Sequence, residues 1–326
     1  MQELILVLEF VIGLVAIIKG ADWRTDGAAS IAHHFGIPTI VVGLTIVAVG
    51  SSAPEFVVSV VSAIKGNVDM ALGNVVGSNI FNILGIVGIT ALVMPITIDR
   101  RNMKYDVPFV VLSSLFIAIT AFDSYFEGNG NPVNNSISRS DGLLMLCTFV
   151  VFMAYTMSIA KKDQNNTDDN DNNIKPKPLW KNILLAIIGL VLLVAGGDGL
   201  VEGASGIARW IGISESVIAL TIVSAGTSAP ELAASVMAAK KGDTAMALGN
   251  VVGSVVFNVF FVLGTSAVIF PLGIGGVTAT DILALLGASV LLWILTAFGQ
   301  KTLIITRTEG AILVIMAIAY YTYLVI

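Results

Sequence analysis

Two stretches of the chain, 36–95 and 212–271, align without a gap at an offset of 176 residues, and 31 of their 60 positions are identical. ALGNVVGS stands verbatim at 71–78 and at 247–254, and GSSAPE at 50–55 returns as GTSAPE at 226–231. Weaker pairing continues upstream with Gly20/Gly196, Asp22/Asp198, Asp26/Glu202 and Gly27/Gly203. A chain duplicated in this way is expected to fold as two units of one kind. The composition says which kind. Of 326 residues, 56% are hydrophobic and 12% charged, against about 25% charged in soluble domains. Apolar runs lie near 3–19, 37–63, 70–95, 106–122, 142–160, 182–198, 213–239, 246–272, 279–298 and 309–326. Each approaches or exceeds the helix length that crosses about 30 Å of hydrocarbon, and the short alternating segments of a membrane barrel are absent. The expected fold is an all-α integral membrane protein with ten transmembrane helices.

Five spans per copy is an odd number, so the second copy enters the bilayer from the opposite side and the repeats are inverted. The expected organisation is a first five-helix repeat over 1–160, a polar linker over 161–181 and a second repeat over 182–326. Lys and Arg favour cytoplasmic loops. With both termini outside, 14 of them fall inside, Lys19, Arg24, Arg100 and Arg101 included, and 3 fall outside: Lys65, Arg139 and Arg209. Arg100, Arg101 and Lys104 correspond to Gly276, Val277 and Thr280, so the copies share a core and differ in loop charge. This places the protein in the cell membrane with the linker cytoplasmic. The start, MQELILVLEF, lacks the basic region of a signal peptide and reads as a mature span. The linker KKDQNNTDDNDNNIKPKPLWK lacks the spacing of a calcium-binding EF-hand loop and reads as a solvated connection.

The repeated hexapeptides break their helices. Pro54 has no N–H and its ring clashes with the carbonyl of Gly50, so an opening is expected around 48–51, with freed oxygens facing protein or a wet cavity. Ser51 and Glu55 share a helical face beside it; Gly226, Thr227, Pro230 and Glu231 repeat the arrangement. The next span carries a polar stripe, Asn74, Ser78 and Asn82, matched by Asn250, Ser254 and Asn258. Gly73 and Gly77, with Gly249 and Gly253, form small-residue patterns that let helices approach closely. Two broken and two striped helices around a pseudo-two-fold axis would enclose an all-oxygen cage, suited to Ca²⁺ or Na⁺. One Ca²⁺, two Na⁺ or two protons would each neutralise the paired glutamates. No basic cluster with aromatics suggests nucleic acid. Cys147 has no cysteine to pair with, and the adjacent His33 and His34 have no second cluster to join, so no resident cofactor is expected. Glu9, opposite Leu185 in the repeat, reads as structural. Asp22 and Asp198 suit capping or gating.

These residues resemble the sodium/calcium exchangers of the cation/calcium antiporter superfamily, through GSSAPEF with ALGNVVGSNIFNILG and GTSAPEL with ALGNVVGSVVFNVFFVLG. The resemblance spans all ten expected helices and is to the compact prokaryotic type. It implies that Glu55 and Glu231 ligate Ca²⁺ with the backbone oxygens of Ser51 and Thr227. Flanking Na⁺ sites would use the hydroxyls of Ser52, Ser78, Ser228 and Ser254 and the carbonyls of Ala48 and Ser224, with Asn82 and Asn258 in the central stripe. It further implies that the first and sixth spans slide past a rigid core. Some relatives carry Asp where this chain has Asn258, which makes potassium co-transport unexpected. Two carboxylates alone leave a site charge of −2, so the expectation is electrogenic exchange of 3 Na⁺ for 1 Ca²⁺, a stoichiometry taken from the resemblance. The substrates would be the two ions and the surroundings lipid, with no protein partner and no enzymatic reaction. A proton/calcium exchanger using the same glutamates is the alternative. A channel fits the inverted repeat less well, and an intramembrane hydrolase lacks a base near a nucleophile.

Overall fold

The computed structural model describes residues 2–35, 39–98, 100–123, 135–164, 179–210, 224–274, 276–297 and 303–325. Their regular structure is helical except for two short strand pairs. The chain opens with α1 (Gln2–Phe35), then α2 (Thr39–Val42), a π-helical stretch at Gly43–Val47, α3 (Ala48–Ser51) and α4 (Ala53–Ile64). Next come α5 (Val68–Ile80), a second π stretch (Phe81–Ile86), α6 (Val87–Val93), β1 (Ile96–Ile98), α7 (Arg100–Ala121), β2 (Ser136–Ile137) and α8 (Arg139–Gln164). The later part runs α9 (Leu179–Trp210), α10 (Ser224–Thr227), α11 (Ala229–Lys240), α12 (Thr244–Phe257), a π stretch (Asn258–Leu263) and α13 (Gly264–Ile269). It finishes with β3 (Leu272–Gly273), α14 (Ala279–Ala297), β4 (Leu303–Ile305) and α15 (Arg307–Val325). The start of the expected span 213–239 and most of the linker 161–181 lie outside the described residues.

Among the described residues, five helical stretches are long and apolar enough to cross a bilayer, and the bent pair Gly43–Ser51 with Ala53–Ile64 makes a sixth. Burial ranks them. Met70–Val93 and Thr244–Ile269 are 83% and 78% buried, whereas Arg139–Ser158 and Leu179–Gly196 are only 22% buried. The two polar-striped rods therefore stand at the centre. The outer helices turn Ile12, Val15, Val150, Val191, Leu283 and Ile315 outward. An apolar exterior around a polar centre is what lipid, not water, selects.

The first helix is longer than its apolar run. Sequence ends that span at residue 19, but α1 continues through Lys19, Arg24 and Asp26 to Phe35. At about 1.5 Å per residue it is roughly 50 Å long. It packs antiparallel to α9 through a seam of small residues, Gly13, Gly20 and Gly27 against Gly189, Gly196 and Gly203. A Cβ on Gly20 would sit 2.7 Å from the Gly189 carbonyl oxygen, and one on Gly203 would sit 2.7 Å from that of Leu6. Backbones this close leave no room for a Cβ at these glycines, so α1 and α9 pack tightly along the seam.

Local signals fix the ends of the central rods. Gly66 and Gly242 take positive φ, +73° and +85°, closing the turns after α4 and α11. Asn67 and Asp243 then cap α5 and α12 by accepting from Met70 N at 3.3 Å and Met246 N at 2.9 Å. Reciprocal capping boxes start α8, α14 and α15: Ser138 with Asp141, Thr278 with Asp281 and Thr306 with Glu309. The strand pairs β1–β4 and β2–β3 are antiparallel and tie distant connections together.

Candidate ion-binding site

Each break falls at a serine. Ser52, at φ −81° and ψ 13°, separates α3 from α4, and the two limbs bend by 53°. Ser228, at φ −87° and ψ 5°, separates α10 from α11. Pro54 and Pro230 occupy the first turn of the new helix, where a missing N–H costs nothing. The break at Ser52 thus lies just beyond the stretch 48–51 expected from the proline clash. A π stretch at Gly43–Val47, which sequence did not anticipate, adds a second irregularity upstream. Glu55 and Glu231 land in the first turn of α4 and α11, where the helix dipole favours negative charge.

The two glutamates are fully buried, and each is served by the serine at the other break. Ser52 Oγ donates to Glu231 Oε1 at 2.8 Å, and Ser228 Oγ donates to Glu55 Oε1 at 2.9 Å. The striped rods hold the broken helices. Asn74 Nδ2 donates to Ser59 Oγ at 3.0 Å and to the Glu55 carbonyl at 3.4 Å; Asn250 Nδ2 donates to Ser235 Oγ at 2.8 Å and to the Glu231 carbonyl at 3.2 Å. The other amide ends reach across: Ser51 Oγ donates to Asn250 Oδ1 at 3.2 Å, and Thr227 Oγ1 to Asn74 Oδ1 at 3.4 Å. Every one of these bonds maps onto its partner when each residue is exchanged for its counterpart 176 positions away. The two copies thus make equivalent bonds, atom for atom.

Oxygens remain without a hydrogen bond inside this cage. Among the described residues they include Glu55 Oε2, Glu231 Oε2, Asn82 Oδ1, Asn258 Oδ1, Ser224 Oγ and Ser254 Oγ, all in buried side chains. Buried carboxylate oxygens without donors are costly unless a cation partners them. A hard cation that takes several oxygens is the chemistry these groups suit.

All twelve sequence-selected positions lie buried in the helices and breaks that build this region. Ala48 belongs to α3, and the Ser224 carbonyl accepts from Ser78 Oγ at 3.4 Å and Thr227 Oγ1 at 3.2 Å. Gly253 does allow close approach: a Cβ there would lie 2.6 Å from the Leu44 carbonyl oxygen. Sequence reasoning overlooked Ser59 and Ser235. The signal was present, since each follows its glutamate by four residues on one helical face and is identical between the repeats. It also missed Asn79, buried, which accepts from Asn258 Nδ2 at 3.2 Å and whose repeat counterpart is Val255.

Arg24 is a correction. Expected in a cytoplasmic loop, it lies inside α1, 2% exposed. Its Nη2 donates to the carbonyls of Val47 and of Ile46, the latter at 3.1 Å, at the end of the π stretch. A buried arginine needs such polar partners, and here backbone carbonyls supply them.

The family profile described as sodium/calcium exchanger protein matches residues 5–158 and 181–326. The chain belongs to the sodium/calcium exchanger family. MaX1 of Methanosarcina acetivorans, a sodium/calcium exchanger, is 29% identical over 97% of each chain. CaxA of Alkalimonas amylolytica, named as an antiporter, is 38% identical over 96% of each. A solved structure of the sodium–calcium exchanger NCX_Mj, soaked with Na⁺ in the absence of Ca²⁺, superposes with a TM-score of 0.81 over 99% of each chain, at 28% identity. Membership makes this family member a membrane antiporter of cations against Ca²⁺.

Proposed function

We propose that the protein exchanges Na⁺ for Ca²⁺ by alternating access, with Ca²⁺ held between Glu55 and Glu231. The observation that carries this reading is the crossed pair of bonds, Ser52 to Glu231 and Ser228 to Glu55, which leaves one oxygen of each buried carboxylate unpartnered. The backbone oxygens of Ser51 and Thr227 complete the Ca²⁺ shell. Na⁺ takes the flanks, lined by Ser52, Ser78, Ser228 and Ser254 and the carbonyls of Ala48 and Ser224, with Asn82 and Asn258 between them. The hydroxyl-rich lining supports Na⁺ over protons, which need no cage.

The architecture that serves this function is ten spans in two inverted five-helix repeats, 1–160 and 182–326, with both termini outside and the linker 161–181 in the cytoplasm of a cell-membrane protein. The strand pairs agree with that topology. Residues 96–98 and 303–305 belong to connections assigned inside, and 136–137 and 272–273 to connections assigned outside. The rigid α1–α9 pair is the element that slides across the rods.

Purified protein in sodium-loaded liposomes tests the reading. An outward Na⁺ gradient should drive Ca²⁺ uptake, and a pH gradient in sodium-free buffer should not. Uptake that follows the proton gradient and ignores Na⁺ would replace this reading with proton exchange.

A further inference from the structure

We propose that Arg24 is a resident cation at one of the two flanking ion positions, so that the protein exchanges 2 Na⁺ for each Ca²⁺ and not 3. The inference rests on the Na⁺/Ca²⁺ reading above. The expectation of three counted only the two glutamates and treated Arg24 as a loop residue. The guanidinium instead lies against the carbonyls of Ile46 and Val47, the residues just before the Ala48 oxygen assigned to one flank. It donates to the Val47 and Ile46 oxygens, and Ser52, whose N–H donates to the Ala48 carbonyl at 3.0 Å, holds Glu231 Oε1 beside that stretch. It sits against the backbone, since a Cβ on Gly50 would lie 3.0 Å from Nη2. Two buried atoms have no hydrogen-bond partner, Nη1 of Arg24 and Oε2 of Glu231.

The repeat supplies an internal comparison. The position 176 residues beyond Arg24 is Leu200, so the sequence gives the second flank no counterpart of the guanidinium. The flank formed by Glu55, Ser78, Ser224 and Ser228 keeps its hydroxyls and carbonyls for a transported ion. A covalently fixed cation supplies charge without being carried, which removes one Na⁺ from the exchange. With Glu55, Glu231 and Arg24 the site charge is −1 and not −2; one Ca²⁺ and two Na⁺ then load it to the same charge. Exchange becomes electroneutral.

The zero-flux condition measures this on the unaltered protein. In proteoliposomes clamped at several potentials, a tenfold Na⁺ gradient should balance a Ca²⁺ gradient of about a hundredfold, the same at every voltage. A balance near a thousandfold at zero potential that shifts with voltage is 3:1 exchange and overturns the proposal while leaving Na⁺/Ca²⁺ exchange standing. Ca²⁺ flux indifferent to Na⁺ overturns both. Arg24→Leu, which installs the residue of the other repeat, should raise the Na⁺ Hill slope and make uptake voltage-dependent, whereas Arg24→Lys should keep the balance of the unaltered chain. An active Arg24→Leu protein with unchanged slope and no voltage dependence contradicts the assignment.

Discussion

Ser52 and Ser228 are the residues on which the geometry of the carboxylates turns. Each hydroxyl holds one oxygen of the opposite glutamate and so aims the other into the cage. Hydrogen bonds to charged groups contribute about 1.5–3 kcal/mol, so Ser52→Ala and Ser228→Ala should each weaken Ca²⁺ uptake by roughly ten- to a hundredfold in apparent affinity. Initial-rate titrations with Ca²⁺ measure it. Because the two bonds are counterparts under the repeat, losses of comparable size are expected; loss in only one variant would contradict the paired site. These residues were legible in the sequence because identity between the copies picks them out of apolar runs. Arg24 was not. A window of composition treats a charged residue as the edge of a span. What accommodates Arg24 is a pair of carbonyls more than twenty residues downstream, and no local pattern carries that.

The elements were legible in kind and less so in extent. Proline fixed where each broken helix restarts, yet the π stretches at Gly43–Val47, Phe81–Ile86 and Asn258–Leu263 follow from packing that local propensity does not encode. The reach of α1 to Phe35 was equally hidden, since its polar later half is held by packing on α9 and α11. The seam between α1 and α9 gives an element-scale prediction. Gly20→Ala places a methyl against the Gly189 carbonyl and should cost about 1–3 kcal/mol, seen as a lowered unfolding temperature in detergent. Gly287→Ala, where a Cβ meets nothing within 4 Å, should be neutral or slightly stabilising. Equal effects at both sites would contradict the close-packed pair. A second prediction concerns Lys241 at the end of α11, whose Nζ pairs with Asp26 at 2.8 Å and reaches the Asp22 carbonyl at 3.0 Å. Partial burial pulls this lysine down, but the bonds to Asp22 and Asp26 outweigh it and hold its pKa above the ordinary value. A raised lysine contributes below its unfolded pKa and loses that contribution as pH rises through the folded value, so the clasp is intact at neutral pH and opens only in strong alkali. Being partly exposed, it is worth at most about 1 kcal/mol. Lys241→Ala should therefore speed hydrogen exchange in residues 22–26 by no more than about fivefold, and less at high salt; no change at low salt would mean that the pair does not fasten α1.

At the scale of the whole molecule, duplication carries the most information. An offset of 176 residues, read from sequence, reappears as equivalent hydrogen bonds made by the two copies, whose striped rods are the most buried of the long apolar helices described. The copies also differ, as at Arg24 against Leu200 and at Asn79 against Val255. The central claim is that Glu55 and Glu231 close on one divalent ion between the repeats. A crystal soaked in Sr²⁺, an anomalous scatterer in place of Ca²⁺, measures it most directly. The expected result is one strong peak with oxygens of both carboxylates and the backbone oxygens of Ser51 and Thr227 at roughly 2.3–2.7 Å, near the Ca²⁺–oxygen range. A peak bound by one glutamate alone, or no peak between them at saturating ion, would contradict the account.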